Sequence, residues 1–290
     1  MNRRELFQLS TAAALAAALP AAVQASPLRP PATGPIVVAF LLSRDAVVID
    51  FAGPWEVFDN VAMPGTPNTN AFQLYTVAES RDPFKATGGM TIVPDHTFAT
   101  APQPHVIVIP AQSRHTDPVL AWIRQASASA DLTMSVCNGV FLLAKTGLLA
   151  GKSATAHHSA YGALAMEFPD IKVMRGVRFV EAGKVASSGG LSSGIDLALR
   201  VVERYFGRAT ATNTAYALEY QGLGWRNPQS NNVYAQRPHS TDAHPLCPVC
   251  DMAVDKAGAL SSVYRRRTYY FCMEAHQHSF AAHPAAFLAG

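Results

Sequence analysis

Four cysteines occur in the 290 residues: Cys137 stands alone, while Cys247, Cys250 and Cys272 lie near the C-terminus together with His276. An isolated cysteine in the middle of a large domain is not explained as half of a disulfide framework. Its setting suggests chemistry instead. Residues 132–136, Leu-Thr-Met-Ser-Val, read as a short strand that runs through Cys137-Asn138-Gly139 into a helical pattern over 140–149. A sharp strand-to-helix turn pushes a sulfur into the crevice at the strand ends, and the free N–H groups of the next helix favour a thiolate and can stabilise an oxyanion. A buried, inert cysteine would show the same local pattern. Asp50 follows the apolar Ala46-Val47-Val48-Ile49 and precedes Phe51-Ala52-Gly53-Pro54. It is either the N-cap of a helix starting at Gly53-Pro54, or an acid at the C-terminal edge of a parallel sheet, where it can face the thiol. His157 and His158 end a three-residue strand pattern, 154–156, and can reach the same crevice or serve as structural histidines.

In the tail, Cys247-Pro248-Val249-Cys250 places two ligands on a turn, and Cys272 with His276 places two more one helical turn apart. Each pair brings its side chains to one side, which suits a four-ligand site. A disulfide between Cys247 and Cys250 is the alternative in an exported chain. Thiolates and imidazole suit zinc or Cu(I), and spacing does not choose between them.

The elements that must position these groups follow from apolar patterning. Continuous apolar runs at 36–42, 71–77 and 105–110 predict parallel strands covered on both faces. Helical patterns occupy 53–61, 117–128, 140–149, 194–206 with Ser193 as N-cap, and 208–220, while 172–186 predicts a hairpin turning at 181–184. The alternation predicts a layered α/β domain with a mainly parallel sheet over 35–220. Residues 26–34 are a proline-rich lead-in, 221–244 a polar linker, and 245–290 a second, small module. The first 25 residues, with Arg3-Arg4 before an Ala/Leu run and Val23-Gln24-Ala25 at its end, predict a twin-arginine signal cleaved after Ala25. An ordinary secretory n-region is the plainer reading of the same arginines. The run is too short and Ala-rich for an anchor, so no stable membrane insertion is expected after cleavage. Net charge is +3, and removing Arg3, Arg4 and Glu5 leaves +2, too little to argue for nucleic acid.

Four ordered segments carry a family resemblance: 50–58 (Asp-Phe-Ala-Gly-Pro-Trp-Glu-Val-Phe), 135–139 (Ser-Val-Cys-Asn-Gly), 146–157 (Thr-Gly-Leu-Leu-Ala-Gly-Lys-Ser-Ala-Thr-Ala-His) and 188–199 (Ser-Gly-Gly-Leu-Ser-Ser-Gly-Ile-Asp-Leu-Ala-Leu). Together they resemble the ThiJ/PfpI superfamily, with its isonitrile hydratase-like branch and the amidotransferase-like domains of certain regulators. The resemblance implies a flavodoxin-like three-layer sandwich, usually a homodimer, acting on a small-molecule substrate. It implies Cys137 as nucleophile, Asp50 as the acid and His157 as the histidine near the thiol. It departs at Asn138, where the hydratases usually have Thr, and at Pro110-Ala111-Gln112, where the family has Pro-Gly-Gly; the Gln112 N–H stays available as a donor. The tail resembles a YHS domain, which usually has Cys where this chain has His276. That likeness implies zinc or copper, with His278 and His283 as nearby alternatives, on a hairpin packed against a short helix and too small to rely on an apolar core alone.

The leading expectation is an exported cysteine-dependent hydratase or hydrolase, turning isonitriles into N-substituted formamides without a cofactor and coupled to a metal-binding module. The alternative is a non-enzymatic periplasmic metal-binding or sensing protein with the large domain as scaffold. A transcription regulator is disfavoured by the export signal, the weak charge and the lack of a helix-turn-helix candidate after residue 220. Replacing Arg3 and Arg4 together by Lys should strand precursor in the cytoplasm. Unchanged export of that variant would reject the twin-arginine route.

Overall fold

The computed structural model describes residues 26–63, 65–236 and 239–288; the expected leader, 1–25, lies outside them. Seven strands form the main sheet: β1 (Ile36–Leu41), β2 (Phe72–Ala78), β3 (His96–Thr97), β4 (Val106–Ile109), β5 (Leu132–Val136), β6 (Phe179–Ala182) and β7 (Val185–Ser188). Their spatial order is β6-β7-β5-β4-β1-β2-β3. Every neighbouring pair is parallel except the β6–β7 hairpin.

The continuous apolar runs arise because both faces of the sheet are covered. Ile36, Val38 and Phe40 join the cluster under α1 (Val48–Asp59) and α5 (Ser193–Ala217). Ala39 and Leu41 join the opposite cluster, under α2 (Asp117–Ser129), α3 (Gly139–Lys145) and α4 (Tyr161–Glu167). Alternate residues of one strand therefore feed two cores, the period-two geometry of an extended chain. Sequence and structure agree on a mostly parallel sheet packed with helices.

Several boundaries differ from the sequence reading. Helix α1 starts at Val48, so Asp50 sits in its first turn rather than capping a helix at Gly53. Gly53 is a packing site: a Cβ there would lie 2.8 Å from Cγ1 of Ile195, so glycine allows α1 and α5 to approach. Helix α3 ends at Lys145, two residues before Gly147 takes the left-handed conformation at φ +82°. The hairpin narrows to β6 and β7 around Gly183, at φ +72°, while Lys172–Val173 pairs separately with Ser153–Ala154. Helix α5 breaks at Gly207, which separates the two expected helices. Ser193 is its first residue rather than its N-cap; Ser192 precedes it and accepts a hydrogen bond from Arg178 Nη2 instead of capping the helix. The polar stretch after residue 220 packs on the domain: Trp225 is buried, and its N–H donates to Oδ1 of Asp196 at 3.0 Å.

The C-terminal module is a hairpin, β8 (Leu260–Tyr264) with β9 (Arg267–Phe271), followed by α6 (Glu274–Ala282) and α7 (Pro284–Leu288). Its core is small: Val249, Phe271 and Phe280 with two cysteines. Among the described residues no helix is long and apolar enough to cross a membrane.

Gly139 fixes the passage from β5 to α3. A Cβ there would lie 2.7 Å from the Pro110 carbonyl oxygen and closer still to that of Ile109. Gly139→Ala must therefore move backbone, and we expect a loss on the order of 3 kcal/mol in urea unfolding. A loss below about 0.5 kcal/mol, the range of a neutral surface change, would contradict this packing.

Candidate functional site

Cys137 occupies the turn between β5 and α3 with φ +58°, a left-handed conformation that non-glycine residues seldom adopt. Its N–H lies between the carbonyls of Ser188 (3.2 Å) and Gly189 (3.1 Å), which ties the turn to the end of β7. The neighbouring strand end supplies the acid's partner: the Ala111 N–H donates to Oδ2 of Asp50 at 3.1 Å. Asp50 is fully buried, and its Oδ1 is without a hydrogen-bond partner. The sequence-predicted pair is thus brought together from α1 and the β5–α3 turn.

Electrostatics set the resting state. Burial pushes the Asp50 carboxyl from an ordinary 3.8 up to about 7, against the Ala111 N–H and the Cys137 thiol, which both favour the carboxylate. Burial, then the charge of Asp50, pushes the Cys137 thiol up to about 12, against the backbone N–H groups of Asn138 and Leu191. The helix-start donors were expected to give a thiolate; burial outweighs them, and the resting sulfur is a thiol. Acid and thiol are therefore adjacent, each shifting the other. A carboxyl titrating near neutrality beside a thiol can exchange a proton with it.

The other expected residues are placed as follows. Asn138 contributes its backbone N–H, while the residue itself is exposed. His157 pairs through Nδ1 with the Ser159 hydroxyl at 2.8 Å, lies tilted against His158 with ring centroids 4.3 Å apart and packs over Gly190. Burial, then the charge of His158, lowers its pKa, and the ring sits behind the loop whose Leu191 N–H meets the sulfur. Gln112 uses its side chain to donate to the Leu41 carbonyl at 3.0 Å and lines a separate cleft of about 170 Å³ with Arg44, Glu79 and Arg114. Ala111, one residue earlier than the expected donor, makes the contact with the acid. Ala111 and Leu191 were missed as donors, although both fall in segments the resemblance had marked.

The tail brings its four expected ligands together. One donor atom each from Cys247, Cys250, Cys272 and His276 lies within 4.8 Å of all the others. The Cys272 sulfur is 3.2 Å from His276 Nδ1, the Cys247 sulfur is 3.6 Å from the same atom, and Cys250 and Cys272 sulfurs are 3.5 Å apart. Ligands about 2.3 Å from a tetrahedral ion stand about 3.8 Å from one another, close to these spacings. A disulfide needs about 2.05 Å between sulfurs, and all four cysteines are free. The Cys250 thiol, with backbone N–H groups including that of Val249, pushes the Cys247 thiol down despite burial, while its coupled partners Cys250 and Cys272 are pushed up. His278 turns to Glu274 and His283 lines a cleft beside Tyr161, so neither joins the cluster.

Residues 37–204 match the DJ-1/PfpI family. An isonitrile hydratase of Pseudomonas putida is 31% identical over 188 residues, covering 63% of this chain and 78% of the relative. A ThiJ/PfpI family protein from Pseudomonas syringae is similar in structure, with TM-score 0.58 and 28% identity over 66% of this chain and 77% of that one. Drosophila melanogaster DJ-1beta shares the fold at TM-score 0.56 and 17% identity, covering 65% of this chain and 100% of its own.

Asp50 generates a pH prediction. Between the unfolded value of 3.8 and the folded value of about 7, the native protein keeps a proton that the unfolded chain has released. Its stabilising contribution is therefore full below pH 3.8 and lost as pH rises through about 7. From pH 5 to pH 8 the wild type should lose roughly 2 to 3 kcal/mol more stability than Asp50→Asn. Parallel pH dependences of the two proteins in urea unfolding would contradict the buried-acid assignment.

Proposed function

The chain belongs to the DJ-1/PfpI family, and from that premise we propose that it is a metal-binding member of it, an exported protein in which a C-terminal Cys₃His centre holds one soft metal ion and the larger domain is the scaffold that reads its occupancy. The observation that carries this reading is the convergence of four donors, from two separate pieces of the tail, to within 4.8 Å. The donor set fits the group: three sulfurs and one imidazole suit zinc or Cu(I), and each favours thiolate ligands over a disulfide. A YHS-like module accounts for the hairpin-and-helix scaffold of the site. The metal's contribution, when bound, is to cross-link two segments that the small apolar core holds weakly. In this reading the larger domain is a flavodoxin-like sandwich in a homodimer, reaching the periplasm by the twin-arginine route.

A second reading, thiol catalysis, is favoured by one specific observation: a fully buried carboxyl, titrating near 7, beside Cys137. On an isonitrile, the Cys137 sulfur would bond to the terminal carbon while its proton passes through Asp50 to that carbon, giving a thioimidate. Water would then add to the thioimidate carbon and the sulfur would leave with a proton, giving an N-substituted formamide and the restored thiol. The kinship to a hydratase supports this chemistry for the branch.

Elemental analysis of anaerobically purified protein should find one zinc or copper per chain, with Cys250→Ser lowering occupancy while the larger domain stays folded. Metal-free protein with a Cys247–Cys250 bridge, and no uptake after reduction, would defeat the metal reading. Turnover of an isonitrile panel that is lost in both Cys137→Ser and Asp50→Asn would promote the second reading to the first.

A further inference from the structure

The turn that supplies two of the four ligands also makes the contact with the larger domain. Val249, between Cys247 and Cys250, is buried, and its carbonyl sits against Gly162 of α4, where a Cβ would approach to 2.5 Å. Asp251, directly after Cys250 and at φ +61°, pairs with Arg175 Nη2 at 3.3 Å. The Arg175 guanidinium in turn lies 4.7 Å over the Tyr161 ring, at the start of α4. Ala163 and Met166 of α4 complete the module's own core. We propose that this ligand turn is a metal-dependent docking surface, and that loading of the tail is transmitted through α4 and residues 174–178 to the Cys137 turn. The inference rests on the metal-site reading above and says how occupancy would be read.

Two short routes join the docking surface to the thiol. One runs through α4: its first residue, Tyr161, follows the His158–Ala160 turn, and His157 packs over Gly190, which lies between Gly189 and Leu191, both in contact with Cys137. The other runs through the loop carrying Arg175. Three residues on, the Arg178 carbonyl accepts the Gly189 N–H at 2.9 Å, and the Gly189 carbonyl accepts the Cys137 N–H at 3.1 Å. The Arg178 side chain also binds Asp196 at 2.6 Å and Ser192 at 3.2 Å. The connector closes over both routes: Ala235 packs against Gly176, and Tyr234 stacks on His158 with centroids 4.3 Å apart.

Docking rests on few contacts. Clefts of about 670 and 480 Å³ flank the Arg175–Asp251 pair, and among the described residues that ion pair, the Val249–Gly162 approach and a small apolar patch help hold the module. Such an interface suits a two-state equilibrium, docked or released, that one metal ion can bias. Without metal the two ligand pairs repel or drift, the turn loses its fixed shape, and Val249 and Asp251 leave their partners. The coupling then needs no rigid wire, only the loss of restraint on residues 157–161 and 174–178.

The test uses the full-length chain, zinc-loaded or stripped by a chelator under anaerobic, reducing conditions. Amide exchange in residues 157–163 and 174–178 should rise about tenfold or more on stripping. Alkylation of Cys137 by iodoacetamide, mapped by mass so that module cysteines are counted apart, should quicken several-fold as the turn loosens. Arg175→Ala should retain one zinc per chain yet exchange as the stripped protein does, and Arg175→Lys should restore part of the protection. Equal exchange in loaded and stripped protein overturns the proposal, as does raised exchange with an unchanged Cys137 rate. Failure of the protein to bind zinc at all removes the reading beneath it and is distinguishable by metal content alone.

Discussion

Between Val136 and Val140 the chain has to turn inside the space left by two carbonyls of the neighbouring strand end, those of Ile109 and Pro110. Only a residue without a Cβ fits at Gly139. That restriction fixes where α3 begins, and it leaves Cys137 to absorb the turn at φ +58°. The end of β7 holds the cysteine N–H, and the Ala111 N–H holds the acid from α1. Four separate elements thus meet at one sulfur because their strands are parallel and end on the same edge. The outcome is set by competition between burial and hydrogen bonding. Two backbone N–H groups favour a thiolate at Cys137, yet burial and the Asp50 charge push it to about 12. The sulfur therefore keeps its proton at rest, beside a carboxyl that titrates near neutrality.

Much of this was legible in the sequence, for physical reasons that can be named. Strands buried on both faces write continuous apolar runs, so 36–41 and 106–109 were readable, and the order of elements predicted the mainly parallel sheet. The Cys137 turn was readable because strand, glycine and helix signals meet there. What stayed hidden depends on tertiary contact. Gly53 and Pro54 look like a helix start, but the packing of Phe51, Val57 and Phe58 extends the helix back to Val48. The thiol's ionisation was read from its local donors, whereas burial, which no local window reveals, decided it. Gln112 was read only for its backbone N–H, and no local window shows that its side chain donates to the Leu41 carbonyl. The polar composition of 221–244 suggested a linker, and nothing local showed that Trp225 would anchor it to the buried Asp196.

In the tail the balance of forces differs. Its apolar core, Val249, Phe271 and Phe280, is far smaller than either cluster of the larger domain. A unit of this size ordinarily needs a metal, a disulfide or a partner surface to fold. Here the cysteines are free rather than bridged, the donor spacing fits a tetrahedral ion, and α4 supplies a partner surface. The same five residues, 247–251, therefore carry ligands and interface together. That economy ties the module's stability to its position, and its position to the loops around the thiol.

The most direct test of a metal centre at the heart of this arrangement is X-ray absorption of the zinc-loaded, full-length protein. Three sulfur scatterers at about 2.3 Å and one nitrogen at about 2.0 to 2.1 Å are predicted for Cys247, Cys250, Cys272 and His276. A first shell made of oxygen and nitrogen alone would place the ion elsewhere and contradict the account.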